Sequence, residues 1–134
     1  MISKASSQPM PTWGRDCLKF LKMVEDHPSK GSGNYYHKIF VQYYATVTDS
    51  LREIDRVLLP GGECILVVQD SYYKEVKVDV AGHVSQMARN LGWKIKHRYD
   101  FEAKLVMARI NPKVKKYRNQ ATATESVLWF QAKC

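Results

Sequence analysis

The chain has no apolar run long enough to span a bilayer and no apolar core near its N-terminus. A cytoplasmic location is the expectation. Cysteine is sparse, and Cys17, Cys64 and Cys134 are far apart and odd in number. They match no metal-ligand pattern, so reduced thiols are expected. His27, His37, His83 and His97 also lack a mutual spacing suited to a metal, which leaves them surface or packing roles. No glycine-rich phosphate loop is evident, because Gly31-Ser32-Gly33 does not follow an apolar strand. Acidic residues are in deficit: 13 Asp and Glu against 21 Lys and Arg give a formal charge of +8. That balance favours an anionic partner, of which nucleic acid is the commonest. There is no internal repeat and no sign of a second domain. At 134 residues the chain is long enough for one domain with a core.

What is present is organised around residues 51–70. Leu51, Ile54, Val57 and Leu58 recur at helical spacing, with Arg52, Glu53, Asp55 and Arg56 on the polar face. Pro60 stops the helix, and Gly61 and Gly62 supply backbone angles that other residues resist. Cys64 to Val68 is then an unbroken apolar run, the pattern of a strand covered on both faces in a parallel sheet.

The flanking segments extend this unit. Residues 1–12 lack periodicity and read as a flexible N-terminal arm, leaving residues 13–134 as a single domain. A short helix is expected over 14–25, with Cys17, Leu18, Leu21 and Val24 facing inward. A loop carrying Pro28, Gly31 and Gly33 follows. A long helix is expected over 35–59, with a possible break at Thr48, Asp49 and Ser50. Tyr35, Tyr36, Tyr43 and Tyr44 cannot all share one face of it. After the apolar strand comes a polar and aromatic corner, Asp70 to Tyr73, and then a helix over 76–91 ended by Gly92. Trp93, Ile95, His97, Tyr99 and Phe101 alternate with polar residues as a strand extending toward Ala108. A basic loop over 112–123 leads to a final apolar strand over 126–130. With no helix between them, the last two strands are expected to be antiparallel neighbours. The fold class is α/β, with a parallel portion and an antiparallel end.

The helix ending Arg56-Val57-Leu58-Leu59-Pro60-Gly61-Gly62 before an apolar strand resembles the second half of a class I S-adenosylmethionine-dependent methyltransferase. In that Rossmann-like fold such a turn leads into the fifth strand. A helix ending in Leu-Gly-Trp or Leu-Gly-Phe, here Leu91-Gly92-Trp93, leads into the sixth. The seventh strand inserts antiparallel between them. Arg118 in the basic loop and Glu125-Ser126-Val127-Leu128-Trp129-Phe130 are similar to the ending of DNA methyltransferases that modify N6 of adenine or N4 of cytosine. The resemblance covers about residues 35–133. It implies strands five, six and seven of a partial methyltransferase sheet flanked by helices. It also implies S-adenosylmethionine as the cofactor of a complete enzyme, DNA as partner, and DNA methylation of the restriction-modification kind.

The chain departs from that family in two motifs. The glycine-rich turn that cradles the cofactor is absent, and so is the catalytic (Asp/Asn/Ser)-Pro-Pro-(Tyr/Phe/Trp) tetrapeptide; Gln8 to Trp13 is the nearest stretch and does not match. The expectation is therefore a truncated or split form, inactive alone, that contributes DNA and target-base contact. No catalytic or cofactor-binding residue is assigned. By resemblance, Asp70, Tyr72 and Tyr73 line the target-base side of a pocket, at the strand end where open α/β sheets collect ligands. A plain strand-end turn is the competing reading. Lys113, Lys115, Lys116 and Arg118, with Tyr117 between them, form the densest basic cluster and suit phosphates and a stacked base. An ordinary solvated loop has the same composition. Glu125 would position that loop through Arg118. The alternative function is a non-catalytic interaction module that covers its open sheet edge by self-association or with another chain carrying the missing half.

Overall fold

The computed structural model describes residues 8–104 and 122–134. Three helices, α1 (Arg15–Glu25), α2 (His37–Val57) and α3 (Val80–Asn90), accompany five strands. The strands are β1 (Glu63–Gln69), β2 (Ser71–Tyr73), β3 (Val76–Val78), β4 (Lys94–Lys104) and β5 (Thr122–Gln131). A 3-10 turn at Pro11–Trp13 precedes α1, and a π-helical turn at Ser32–Tyr36 leads into α2. The mixed α/β class expected from the sequence is present.

Helix α1 buries Cys17, Phe20, Leu21 and Val24; Phe20 takes the inward place expected for Leu18. Helix α2 is unbroken through residues 48–50. The Thr48 hydroxyl donates to the Tyr44 carbonyl at 2.8 Å, so this polar residue satisfies itself within the helix. The expected mixture of core and surface tyrosines is found: Tyr44 is buried and Tyr35 exposed. The Pro-Gly-Gly turn is closed from two sides. Gly62 N–H donates back to the Leu59 carbonyl, and Gly61 adopts φ +75°. Gly61 N–H also donates to Lys133 O, and Ala132 N–H to Gly62 O at 2.7 Å, which stitches the turn to the end of the chain.

The main sheet has the order β1-β5-β4, and both pairings are antiparallel. The last strand therefore lies between two strands that run in the same direction. The expected antiparallel pairing of the last two strands is present. The expected parallel portion is not: β1 and β4 share a direction but do not pair, because β5 separates them. One edge of β1 has no strand partner among the described residues.

The helices lie on one face of this sheet. Cys64, Leu66 and Val68 of β1, with Leu128 and Phe130 of β5, pack against the helical core of Phe20, Tyr44, Val84 and Met87. Trp93 joins that core, and its indole N–H donates to Asp55 of α2 at 2.7 Å. Among the described residues nothing packs on the opposite face. Ile65 is 60% exposed, Val67 67%, Tyr99 47% and Phe101 57%; the register sets Ile65 beside half-buried Trp129, Val67 and Tyr99 beside half-buried Val127, and Phe101 beside Glu125. A strand covered on both faces was expected for Cys64 to Val68. The alternation of burial along β1 corrects this, because no element packs on the Ile65 and Val67 side among the described residues.

A further correction concerns residues 71–78. They form an antiparallel hairpin, β2 with β3, where the corner and the start of a helix were expected. Its two-residue turn places Lys74 at φ 54°. Helix α3 begins only at Val80. Asp79 caps it by accepting from Gly82 N–H at 3.1 Å, and a Cβ on Gly82 would collide with that carboxylate. Gly82 is thus a close-packing position. The expected extension of β4 toward Ala108 lies outside the described residues. No described helix is long and apolar enough to cross a membrane.

Candidate functional site at the end of β1

The C-terminal end of β1 opens on a cavity of about 340 Å³. Asp70, Tyr72, Lys77, Asp100, Phe101, Glu102, Ala123 and Thr124 line it. Alternation along the strands explains the grouping. Residues 64, 66 and 68 face the helices, so Asp70, two further on, lies on the same side. Ser126 pairs with Asp100 and Thr124 with Glu102 across the sheet, and Asp70 N–H donates to the Thr124 carbonyl at 2.8 Å. The β2–β3 hairpin adds Tyr72 and Lys77.

Asp70 is the unusual member. It is only 5% exposed, and neither carboxylate oxygen has a hydrogen-bond partner. The Lys77 ammonium lies 3.5 Å from one of them, close enough for an ion pair but without hydrogen-bonding geometry. Lys77 itself is half exposed, so its hold on the carboxylate is loose. Asp100 is the opposite case. It accepts from Arg98 Nε at 2.9 Å and from the Ser126 hydroxyl at 2.7 Å, and these bonds, the Arg98 one foremost, keep its carboxyl below the usual range. Of the three acids lining the cavity, Asp100 accepts two hydrogen bonds at Oδ1, Glu102 is exposed, and buried Asp70 accepts none.

Of the residues expected to form the site, Asp70 and Tyr72 meet in this cavity and Tyr73 does not. Tyr73 turns into the core, where its hydroxyl bonds Ser32 and its ring packs on His27, Tyr36 and Phe40. Its expected ligand role is therefore corrected to a packing role, since alternation in β2 sends it to the side opposite Tyr72. Glu125 is exposed and pairs with Gln69 and Phe101 in the sheet, outside the lining. Lys113, Lys115, Lys116, Tyr117 and Arg118 lie outside the described residues, as does the expected pairing of Glu125 with Arg118. Lys77, Asp100 and Glu102 were not singled out from the sequence. Their signal was weak, because only the strand register brings them beside Asp70.

A second concavity of about 200 Å³ runs between α2 and the open edge of β1, lined by Tyr43, Val47, Ile54, Leu66 and Val67 among others. It is apolar and carries no titratable cluster. Among the described residues, no group of three His, Cys, Asp or Glu side chains is placed to hold a metal ion. Comparison of the chain with protein-family models, with curated proteins and with solved structures finds no match.

Proposed function

We propose that this chain is the DNA- and target-base-contacting part of a class I methyltransferase-type domain, of the branch acting on N6 of adenine or N4 of cytosine. The observation that carries the reading is the sheet order. A reversed last strand sits between two co-directional strands, behind a helix, a Pro-Gly-Gly turn and an apolar strand. The cavity at the end of β1, with Asp70 and Tyr72 in its lining, supplies a place for a base. The five basic residues between β4 and β5, Arg109, Lys113, Lys115, Lys116 and Arg118, have no acidic neighbour among residues 105–121, which suits phosphate contact.

The described residues do not fit S-adenosylmethionine. Gly31 and Gly33 lie at the π-helical turn before α2, and Gly61 and Gly62 are closed against residues 132 and 133. Neither pair follows a strand in the manner of a cofactor cradle. The reading therefore assigns no methyl-transfer step to these residues. Fluorescence anisotropy with a labelled DNA duplex tests it. Binding that weakens steeply as salt rises is expected. Absence of binding at about 50 mM salt contradicts it.

A second reading, an interaction module that self-associates, is favoured by the bare sheet face and the open β1 edge. Large contiguous exposed apolar patches mark interaction surfaces. Light scattering across a concentration series decides this reading: a strict monomer rejects it.

A further inference from the structure

The Asp70 carboxylate is buried, ionisable and without a hydrogen bond, in a cavity that opens to solvent beside it. Native proteins rarely leave such a group unsatisfied without a use for it. An ionised carboxylate only accepts, so its missing partners are donors. We propose that the cavity binds a guanine base, whose Watson–Crick edge offers two parallel N–H donors to the two oxygens of Asp70.

Several observations converge on a planar, donor-rich group. Asp100 and Glu102 are exposed, and Asp100 already accepts from Arg98 and Ser126 at Oδ1, so Asp70 is the buried acid of the lining with neither oxygen met. Tyr72 provides aromatic surface at the wall. The volume of about 340 Å³ lies within the range of small-molecule sites. Lys77 serves as a movable cover: half exposed and at 3.5 Å, it withdraws as the ligand's N–H groups replace it. A base with a single donor on that edge, such as adenine or cytosine, leaves one carboxylate oxygen unmet and binds less well. The inference rests on the nucleic-acid reading above but takes the base held in the cavity to be guanine, not the adenine or cytosine that is methylated; free nucleotide probes the cavity without the basic segment and without methyl transfer.

The experiment is calorimetric titration of guanosine monophosphate, adenosine monophosphate, cytidine monophosphate and agmatine into the full chain and into Asp70→Asn and Lys77→Ala. The expected result is saturable guanosine monophosphate binding that is roughly 10–100-fold weaker in Asp70→Asn. In Lys77→Ala it tightens, because the competing ammonium is gone. The melting temperature of Asp70→Asn is measured beside its affinity, so that loss of the Lys77 contact at 3.5 Å is separated from loss of binding. If that variant fails to fold, the Lys77→Ala affinity decides. Equal binding of the three nucleotides, or binding unchanged in Asp70→Asn, overturns the proposal. So does binding of agmatine alone, which assigns the cavity to an arginine side chain. No binding of any probe, with a lower melting temperature in Lys77→Ala, makes Asp70 and Lys77 a structural ion pair and also overturns it. Nucleotide binding without duplex binding leaves this inference standing while the DNA reading fails.

Discussion

Adjacent residues of β1 should respond in opposite ways to truncation. Leu66 faces the helices and packs against the core, whereas Val67 is 67% exposed on the bare face. A buried Leu→Ala change costs about 2–5 kcal/mol, including the cavity it leaves. Leu66 is half-buried, so Leu66→Ala is expected at the lower end, about 2 kcal/mol. A fully buried valine is worth about 1.5–3 kcal/mol relative to an exposed one. With only a third of its surface covered, Val67 retains about 0.5–1 kcal/mol of that, and Val67→Ala removes only part of it. The assay is urea unfolding followed by circular dichroism at low protein concentration, so that the monomer is measured. At roughly 2–8 °C per kcal/mol, the same contrast appears in the melting temperatures. Equal losses, or a greater loss for Val67→Ala, would show that both faces of β1 are covered and would refute the one-sided helical layer.

Other outcomes follow from individual sites. His83 is buried, its Nδ1 bonded to the Tyr44 hydroxyl at 2.6 Å, and burial lowers its pKa from 6.5. The native state thus holds the imidazole neutral while the unfolded chain protonates near 6.5, so this contribution is complete above that pH and is lost as pH falls through the lower native value. Melting temperature should decline over that interval and decline less in His83→Gln; identical profiles would remove His83 as the cause. Gly61→Ala forces a side chain onto φ +75° and should cost about 1–2 kcal/mol. Gly62→Ala, whose Cβ would stand 2.9 Å from the Leu59 carbonyl, should cost at least as much by urea unfolding. Calorimetric titration of S-adenosylmethionine into the chain should show no saturable heat; binding would reveal a cofactor cradle other than the two glycine pairs.

The helix, turn and strand of residues 51–70 were legible because each carries a local signal: helical spacing, a Pro-Gly-Gly stop and a β-branched run. The one-sided burial of β1 was not. Cys64 to Val68 is apolar at every position, and only what packs on the sheet decides which side is covered. The β2–β3 hairpin escaped notice because its turn residues, Lys74 and Glu75, include none of the Gly, Asn or Asp that advertise tight hairpins. Asp70 was visible as the polar residue ending an apolar run. Its neighbours Asp100 and Glu102 were not, since their approach depends on the pairing of β4 with β5. Tyr73 carried the same tyrosine signal as Tyr72, but alternation placed it in the core.

The central claim, that this chain meets DNA through its basic segment, is tested most directly by the salt dependence of duplex affinity in the parent and in Lys115→Glu/Lys116→Glu. The logarithm of affinity should fall linearly with the logarithm of salt, with a slope of about −0.9 for each phosphate neutralised. The variant should bind more weakly, with a slope shallower by roughly 2. Unchanged affinity and slope in the variant would contradict the claim.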